Sequence, residues 1–211
     1  MNNFIFYSKD YCYMCLKNKT KNYICKDCIE RLEFIDGIRE LDERICIYPL
    51  FYNNFLRSLI KKFKYEDCTY LVKPFVEIIY KFIKFKNLDF DYISYIPMYY
   101  KDEYERGYNQ SKILCEYYSK TAKKEMIQII EKVKPTNHQN KLDRKMRLKN
   151  LKDSFKVIEG LNLDNKRILF IDDIVTTGST FNLISKEIKK KYDCEITFLA
   201  IASSKIYEND E

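Results

Sequence analysis

Glycine, proline, tryptophan and histidine are scarce in this 211-residue chain, at 4, 4, 0 and 1 copies. With glycines only at Gly37, Gly107, Gly160 and Gly178, neither a G-x-G-x-x-G dinucleotide loop nor a P-loop can be built. The single histidine, His138, excludes a histidine-rich catalytic metal site, and no G-x-S-x-G elbow accompanies it. Long apolar runs are also missing. No stretch of about 18 apolar residues exists to span a bilayer, and the opening MNNFIFYSKDYC has no basic region followed by an apolar one. A cytoplasmic protein without membrane insertion is expected.

What is abundant needs discounting before it is read. Lys and Arg number 38 against 31 Asp and Glu, a formal net charge of +7. Heavy use of Lys, Asn, Ile and Tyr is also what AT-rich codons produce, so net charge alone says little about partners. Its distribution says more. Residues 141–152 hold Lys141, Arg144, Lys145, Arg147, Lys149 and Lys152 against Asp143, so most of the excess sits in one segment. Such a run is either a solvated helix face or an anion-binding element.

Four of the eight cysteines are patterned. Cys12-x2-Cys15 and Cys25-x2-Cys28 form two knuckles nine residues apart, each able to aim two thiolates at one ion. Four sulfurs complete a closed tetrahedral Zn2+ site, which lends folding energy to a segment too short for its own core. Unrelated cysteine pairs or a redox C-x-x-C are the alternatives. Cys46, Cys68, Cys115 and Cys194 lack such spacing and read as buried small hydrophobes.

Residues 31–45 are charged and read as a connector. Beyond them strand and helix signals alternate: 45–52 a strand, a helix capped by asparagine after it, a helical apolar stripe from Leu71 to Ile83, then 91–97 a strand ended by Pro97. A helix starting near Asn109, a strand candidate at 126–133, a strand at 167–171, a helix at 176–192 and a strand at 194–203 complete the pattern. The expected fold is α/β, a central parallel sheet flanked by helices, with a small N-terminal four-cysteine zinc-binding segment over 1–35 and the α/β domain over 36–211.

In such sheets ligands sit beyond the carboxyl ends of the strands. The richest of these ends is Ile168-Leu-Phe-Ile-Asp-Asp-Ile-Val-Thr-Thr-Gly-Ser-Thr180. An apolar strand delivers Asp172 and Asp173, two carboxylates that repel each other unless a cation or hydroxyl donors share them. Thr176, Thr177, Gly178, Ser179 and Thr180 then turn into a helix N-terminus. Free amides, four hydroxyls and the helix dipole make a phosphate pocket. Diols suit the acids and phosphate suits the turn, so a ribose 5-phosphate fits both.

This stretch resembles the phosphoribosyl pyrophosphate (PRPP) signature of type I phosphoribosyltransferases. Further motifs resemble the ComF family, phosphoribosyltransferase-like proteins linked to competence and DNA uptake. Arg106-Gly-Tyr-Asn-Gln-Ser111 is similar to R-G-[FY]-N-Q-[SA], and Gln139, Leu142, Arg147 and Asn150 follow Q-x-x-L-x-x-x-x-R-x-x-N with Phe155 trailing. Leu59-Ile-Lys-Lys-Phe-Lys-Tyr65 resembles L-I-x-x-x-K-[YF], and the four-cysteine segment also fits the family layout.

The resemblance implies a Mg2+-dependent transfer of phosphoribose from PRPP to an unidentified base or amine acceptor. Asp172 and Asp173 would be catalytic, and Thr176 to Thr180 would bind the 5′-phosphate. Pro97, Arg106 and Gly107, with Arg147 on a hood spanning about 134–153, would bind diphosphate. Gln139 belongs to the motif without an assigned role, as does Asn150. Asn109 and Gln110 are open between that motif and a plain helix cap. The alternative is a competence factor with little or no transferase activity, binding single-stranded DNA or a competence-machinery protein through the knuckle and residues 141–152.

Overall fold

The computed structural model describes residues 10–42, 44–135 and 154–203. The hood's Gln139, Arg147 and Asn150, together with His138 and the basic run 141–152, lie outside the described residues.

Among the described residues, eight strands and six α-helices follow one another in this order: α1 (Lys26–Glu30), β1 (Phe34–Leu41), β2 (Arg44–Phe51), α2 (Asn54–Tyr65), α3 (Val72–Phe85), β3 (Tyr92–Tyr95), α4 (Tyr100–Arg106), α5 (Gln110–Ala122), β4 (Glu125–Met126), β5 (Ile130–Lys132), β6 (Phe155–Val157), β7 (Arg167–Val175), α6 (Ser179–Lys189) and β8 (Glu195–Ser203). Six strands form one sheet in the order β1-β2-β8-β7-β3-β4. All its pairings are parallel except β1 against β2. The α/β expectation holds, with an antiparallel edge added.

That edge corrects the connector reading of 31–45. Residues 34–41 are a strand, closed onto β2 by a tight hairpin in which Leu41 pairs with Arg44. Gly37 makes the pairing possible, because a Cβ there would run into the ring of Tyr48. The second correction concerns the segment after Pro97. Residues 100–106 form a helix rather than a loop, with no buried residue and Gly107 ending it at φ +86°. The strand candidate at 126–133 is divided: β4 extends the main sheet, while β5 pairs antiparallel with β6 in a separate ribbon.

The two central strands, β7 and β8, are apolar because helices cover both their faces. Alternation splits β7 between two cores. Leu169 and Ile171 pack with residues of α2, α3 and α5, whereas Ile168 and Phe170 pack with Phe181, Ile184 and Ile188 of α6 and with the β5–β6 ribbon. Local signals hold at the helix starts. Asn53 caps α2 by accepting from the Leu56 amide at 3.0 Å, and Asn109 caps α5 by accepting from Lys112 at 3.2 Å. Among the described residues, no helix is long and apolar enough to cross a membrane.

The cysteine segment is continuous with the α2–α3–α5 core. Cys12, Met14, Ile24, Cys25, Cys28 and Leu32 share a cluster with Leu56, Phe63 and Phe75. Tyr13 seals this junction, facing Tyr70 at 6.1 Å and accepting a hydrogen bond from Lys73 at 3.3 Å. Cys46, Cys115 and Cys194 are buried as expected, and Cys68 is partly buried.

Candidate functional site

Strand β7 runs four residues beyond the expected 171, so both acids are strand residues at its carboxyl end. The alternation that sends Leu169 and Ile171 toward α2 also carries Asp173 there. Its carboxylate, 6% exposed, meets the Lys64 ammonium at 2.7 Å. Asp172 instead accepts from the Ser111 hydroxyl at the start of α5 and from the Asp173 amide at 2.9 Å, both on Oδ1. Among the described residues, Asp172 Oδ2 and Asp173 Oδ1 receive no hydrogen bond. The pair thus offers two acceptor oxygens side by side. Repulsion between the carboxylates is relieved by one cation and one hydroxyl donor.

The electrostatics of the two acids diverge. Burial raises the Asp172 carboxyl to about 7, the neighbouring Asp173 charge pushes the same way, and Ser111 and Lys64 pull back. Burial alone would depress the Lys64 ammonium, but the Asp173 carboxylate beside it raises it instead.

Directly after the acids, Thr176 and Thr177 are exposed, and Arg39 of β1 donates to the carbonyls of both, to Thr177 at 3.2 Å. The Thr177 and Ser179 hydroxyls lie 2.8 Å apart. Gly178 precedes α6 at φ +73°, and a Cβ there would strike Leu41. Gly178 offers no capping side chain to α6; the Ser179 amide donates to Thr177 Oγ1 at 3.4 Å, and the next amide, of Thr180, belongs to the open first turn of the helix. The turn therefore presents amides, hydroxyls and a helix dipole to one point.

The segment from Pro97 to Ser111 closes over the same edge. Asn109 does two jobs at once: its Oδ1 caps α5 while its Nδ2 donates to the Ile96 carbonyl at 3.0 Å, tying both ends of the α4 insertion together. Gln110 is 3% exposed, and its Nε2 has no hydrogen-bond partner among the described residues. Pro97 is buried at the exit of β3. Arg106 lies 5.1 Å over the Tyr65 ring, and the Tyr108 hydroxyl donates to the Phe63 carbonyl. The carboxyl end of α2 is therefore held by this segment on either side of Lys64.

Sequence reading missed Lys64, Ser111 and Arg39. The first two sit inside quoted motifs, as the lysine of L-I-x-x-x-K-[YF] and the last position of R-G-[FY]-N-Q-[SA]. Arg39 carried no signal because β1 itself was read as a connector.

At the other end of the chain, the sulfurs of Cys12, Cys15, Cys25 and Cys28 all lie within 4.8 Å of one another. Cys15 and Cys25 are 3.8 Å apart, matching the sulfur–sulfur edge of about 3.8 Å implied by tetrahedral zinc–sulfur bonds of about 2.3 Å. The first knuckle turns through Leu16 at φ 58°, whose amide donates to the Cys12 carbonyl at 2.8 Å; the second opens α1, with Cys25 at its cap. Asn18 donates to Cys25 Sγ at 3.5 Å. Four cysteines so placed can hold a metal ion. Lys17, Lys19, Lys21 and Tyr23 of the intervening loop are exposed.

A mainly parallel α/β sheet, an acid pair followed by a Thr-Thr-Gly-Ser-Thr turn, and an appended four-cysteine unit make up a phosphoribosyltransferase-like fold with a cysteine cluster able to hold a metal ion. Comparison with curated proteins narrows this. The chain is 30% identical over 142 residues to competence protein F of Haemophilus influenzae, covering 64% of this chain and 62% of that protein. It is 31% identical over 91 residues to the DNA utilization protein YhgH of Escherichia coli K12, covering 43% and 39%, and 21% identical over 182 residues to ComFC of Bacillus subtilis, covering 85% and 72%. The chain thus spans less than two thirds of the length of the first two relatives. Its similar curated proteins thus include competence protein F, ComFC and a DNA utilization protein. No protein-family model matches it. Similar solved chains include adenine phosphoribosyltransferase from Thermoanaerobacter pseudethanolicus (12% identity, TM-score 0.40, 65% and 81% covered). Purine phosphoribosyltransferase from Pyrococcus horikoshii is a second (16%, 0.42, 67% and 79%).

The raised Asp172 carboxyl has a consequence for stability. Between about pH 4 and pH 7 the folded chain keeps a proton that the unfolded chain has released, so stability falls as pH rises through that window and levels off above it. Urea unfolding of Asp172→Asn is expected to show a protein more stable than the wild type at pH 8, by at least about 1 kcal/mol, with the gap shrinking by pH 5. A gap independent of pH would refute the assignment.

Proposed function

We propose that the protein binds PRPP and transfers phosphoribose to a nitrogen nucleophile, a base or an amine, in a ComF-type role in DNA uptake. The observation that carries this reading is the acid pair with one open oxygen on each carboxylate, set just before a turn that offers exposed hydroxyls and the N-terminal turn of a helix whose cap residue is glycine. Adjacent ribose hydroxyls donate to Asp172 Oδ2 and Asp173 Oδ1, while the 5′-phosphate takes the amides and hydroxyls of Thr176, Thr177, Gly178, Ser179 and Thr180.

Displacement at the anomeric carbon builds positive charge on the sugar ring, and the carboxylates stabilise it. Arg106 and Gly107 grip the departing diphosphate from the β3 side with Pro97, joined by Arg147 of the hood, since a guanidinium fork matches phosphate oxygens. Mg2+ carried in on the substrate would supply charge neutralisation of the diphosphate. The residues fit that arrangement: Asp173 is already paired with Lys64 and Asp172 is raised, so the chain has little free negative charge with which to hold the ion by itself.

Cys12, Cys15, Cys25 and Cys28 hold a structural Zn2+. Competence-protein relatives support work at the DNA-uptake machinery, with single-stranded DNA or a protein of that machinery met at the exposed face of Lys17, Lys19, Lys21 and Tyr23.

Titration calorimetry with PRPP and Mg2+ is expected to show binding, weakened by roughly 10–100-fold in Asp172→Asn/Asp173→Asn, as the loss of charged hydrogen bonds dictates. Absence of wild-type binding would sink the reading. Elemental analysis is expected to find about one zinc per chain, lost with a lowered melting temperature in Cys25→Ser. Binding of a single-stranded oligonucleotide at low salt should weaken steeply with added salt and in Lys17→Glu/Lys19→Glu/Lys21→Glu. No binding at low salt rules out the DNA partner.

A further inference from the structure

We propose that Lys64 is a positioning residue for the sugar site: its ammonium holds one oxygen of Asp173 and thereby turns the other toward the ribose hydroxyls. The inference deepens the reading above and rests on it. Lys64 comes from α2, more than a hundred residues before the acids, and no role had been assigned to it.

Geometry separates this lysine from an ordinary surface cation. Its Nζ stands 2.7 Å from Asp173 Oδ2, and the two side chains are only 23% and 8% exposed. Exposed lysine pairs gain little because a long flexible side chain must be held in one geometry. Here the neighbouring residues hold it. Phe63 accepts from the Tyr108 hydroxyl, and the Tyr65 ring lies under the Arg106 guanidinium. The stem of Lys64 therefore starts from a backbone fixed on both sides by the segment that also supplies Ser111 to Asp172. The two acids are held by two arms of one assembly, each arm taking one oxygen and leaving one.

The other titratable groups around Asp172 do not take over this task. Cys46 of β2 and Cys115 of α5 face it, and burial pushes both thiols up, so they are uncharged at neutral pH. Arg39 of β1 lies toward Cys46 and is engaged with the carbonyls of Thr176 and Thr177. Among the described residues, Lys64 is the cation in contact with the pair, through Asp173.

The test uses the full chain with Lys64→Met, Lys64→Arg, Asp173→Asn and the double variant Lys64→Met/Asp173→Asn. Two quantities are read: the dissociation constant for PRPP with Mg2+, and the carboxyl carbon titration of Asp172 and Asp173 by NMR in the ligand-free protein. Lys64→Met is expected to weaken binding roughly 10–100-fold, the range seen when an orienting partner is removed, and to move the carboxyl titration to higher pH. Lys64→Arg should stay within about threefold of the wild type, since it keeps the charge and the hydrogen bond. The double variant should bind no worse than Asp173→Asn alone, because Lys64 acts through Asp173.

Should Lys64→Met fail to fold with a buried charge left unpaired, Lys64→Arg and the charge-neutral double variant still decide the matter. Wild-type binding of PRPP with an unchanged affinity and carboxyl titration in folded Lys64→Met would overturn the proposal. An equal loss on adding Lys64→Met to Asp173→Asn would also overturn it. A wild type that binds no PRPP overturns the ribose-phosphate reading instead, and the two failures are thereby told apart.

Discussion

The ion pair between Lys64 and Asp173 is the contact on which the site's arrangement depends. Two adjacent carboxylates at the end of a buried strand repel each other, and an uncompensated charge there would cost several kcal/mol. The chain resolves this unequally. Asp173 is paired with a lysine, whereas Asp172 is satisfied by a serine hydroxyl and an amide and is raised by burial to about 7. That division requires α2, α5 and β7 to meet at one point, and the Tyr108 and Arg106 contacts to α2 bring them there. The sheet edge that carries the acids and the α2–α3–α5 core are consequently a single mechanical unit.

The rest of the fold follows from keeping that edge open while both sheet faces are covered. Helix α6 and the β5–β6 ribbon close one face, and the long helices close the other. The antiparallel β1–β2 hairpin ends the sheet on the far side and sends Arg39 across to brace the turn before α6 through its carbonyls. Gly178 lets that turn pass close to Leu41, so the loop geometry and the hairpin depend on each other. The cysteine unit joins the same core through Tyr13 and Leu32 rather than standing apart, so that an ion held by the four cysteines would also stabilise the packing on α3.

Much of this was legible in the residues. The acids and the turn after them announce themselves because two adjacent charges interrupt an apolar central strand, although the strand stays buried beyond them to Val175. Asn53 and Asn109 announce helix starts by cap chemistry. The four cysteines announce their cluster by spacing. Strand β1 was hidden because FIDGIREL is charged, and only its long-range pairing with β2 decides its state. Helix α4 was hidden because it buries nothing and so shows no apolar stripe, although Gly107 just past Arg106 was a usable stop signal. The Lys64–Asp173 contact links residues far apart in sequence, and no periodicity reports such a pairing.

The central claim is that a ribose phosphate lies between the acid pair and the turn before α6. A crystal structure of the protein with ribose 5-phosphate tests it most directly. The account expects the phosphate on the amides of Gly178, Ser179 and Thr180, the 2′- and 3′-hydroxyls on Asp172 Oδ2 and Asp173 Oδ1, and Lys64 still on Asp173. A phosphate seated elsewhere, or hydroxyls that leave both carboxylates untouched, would contradict it.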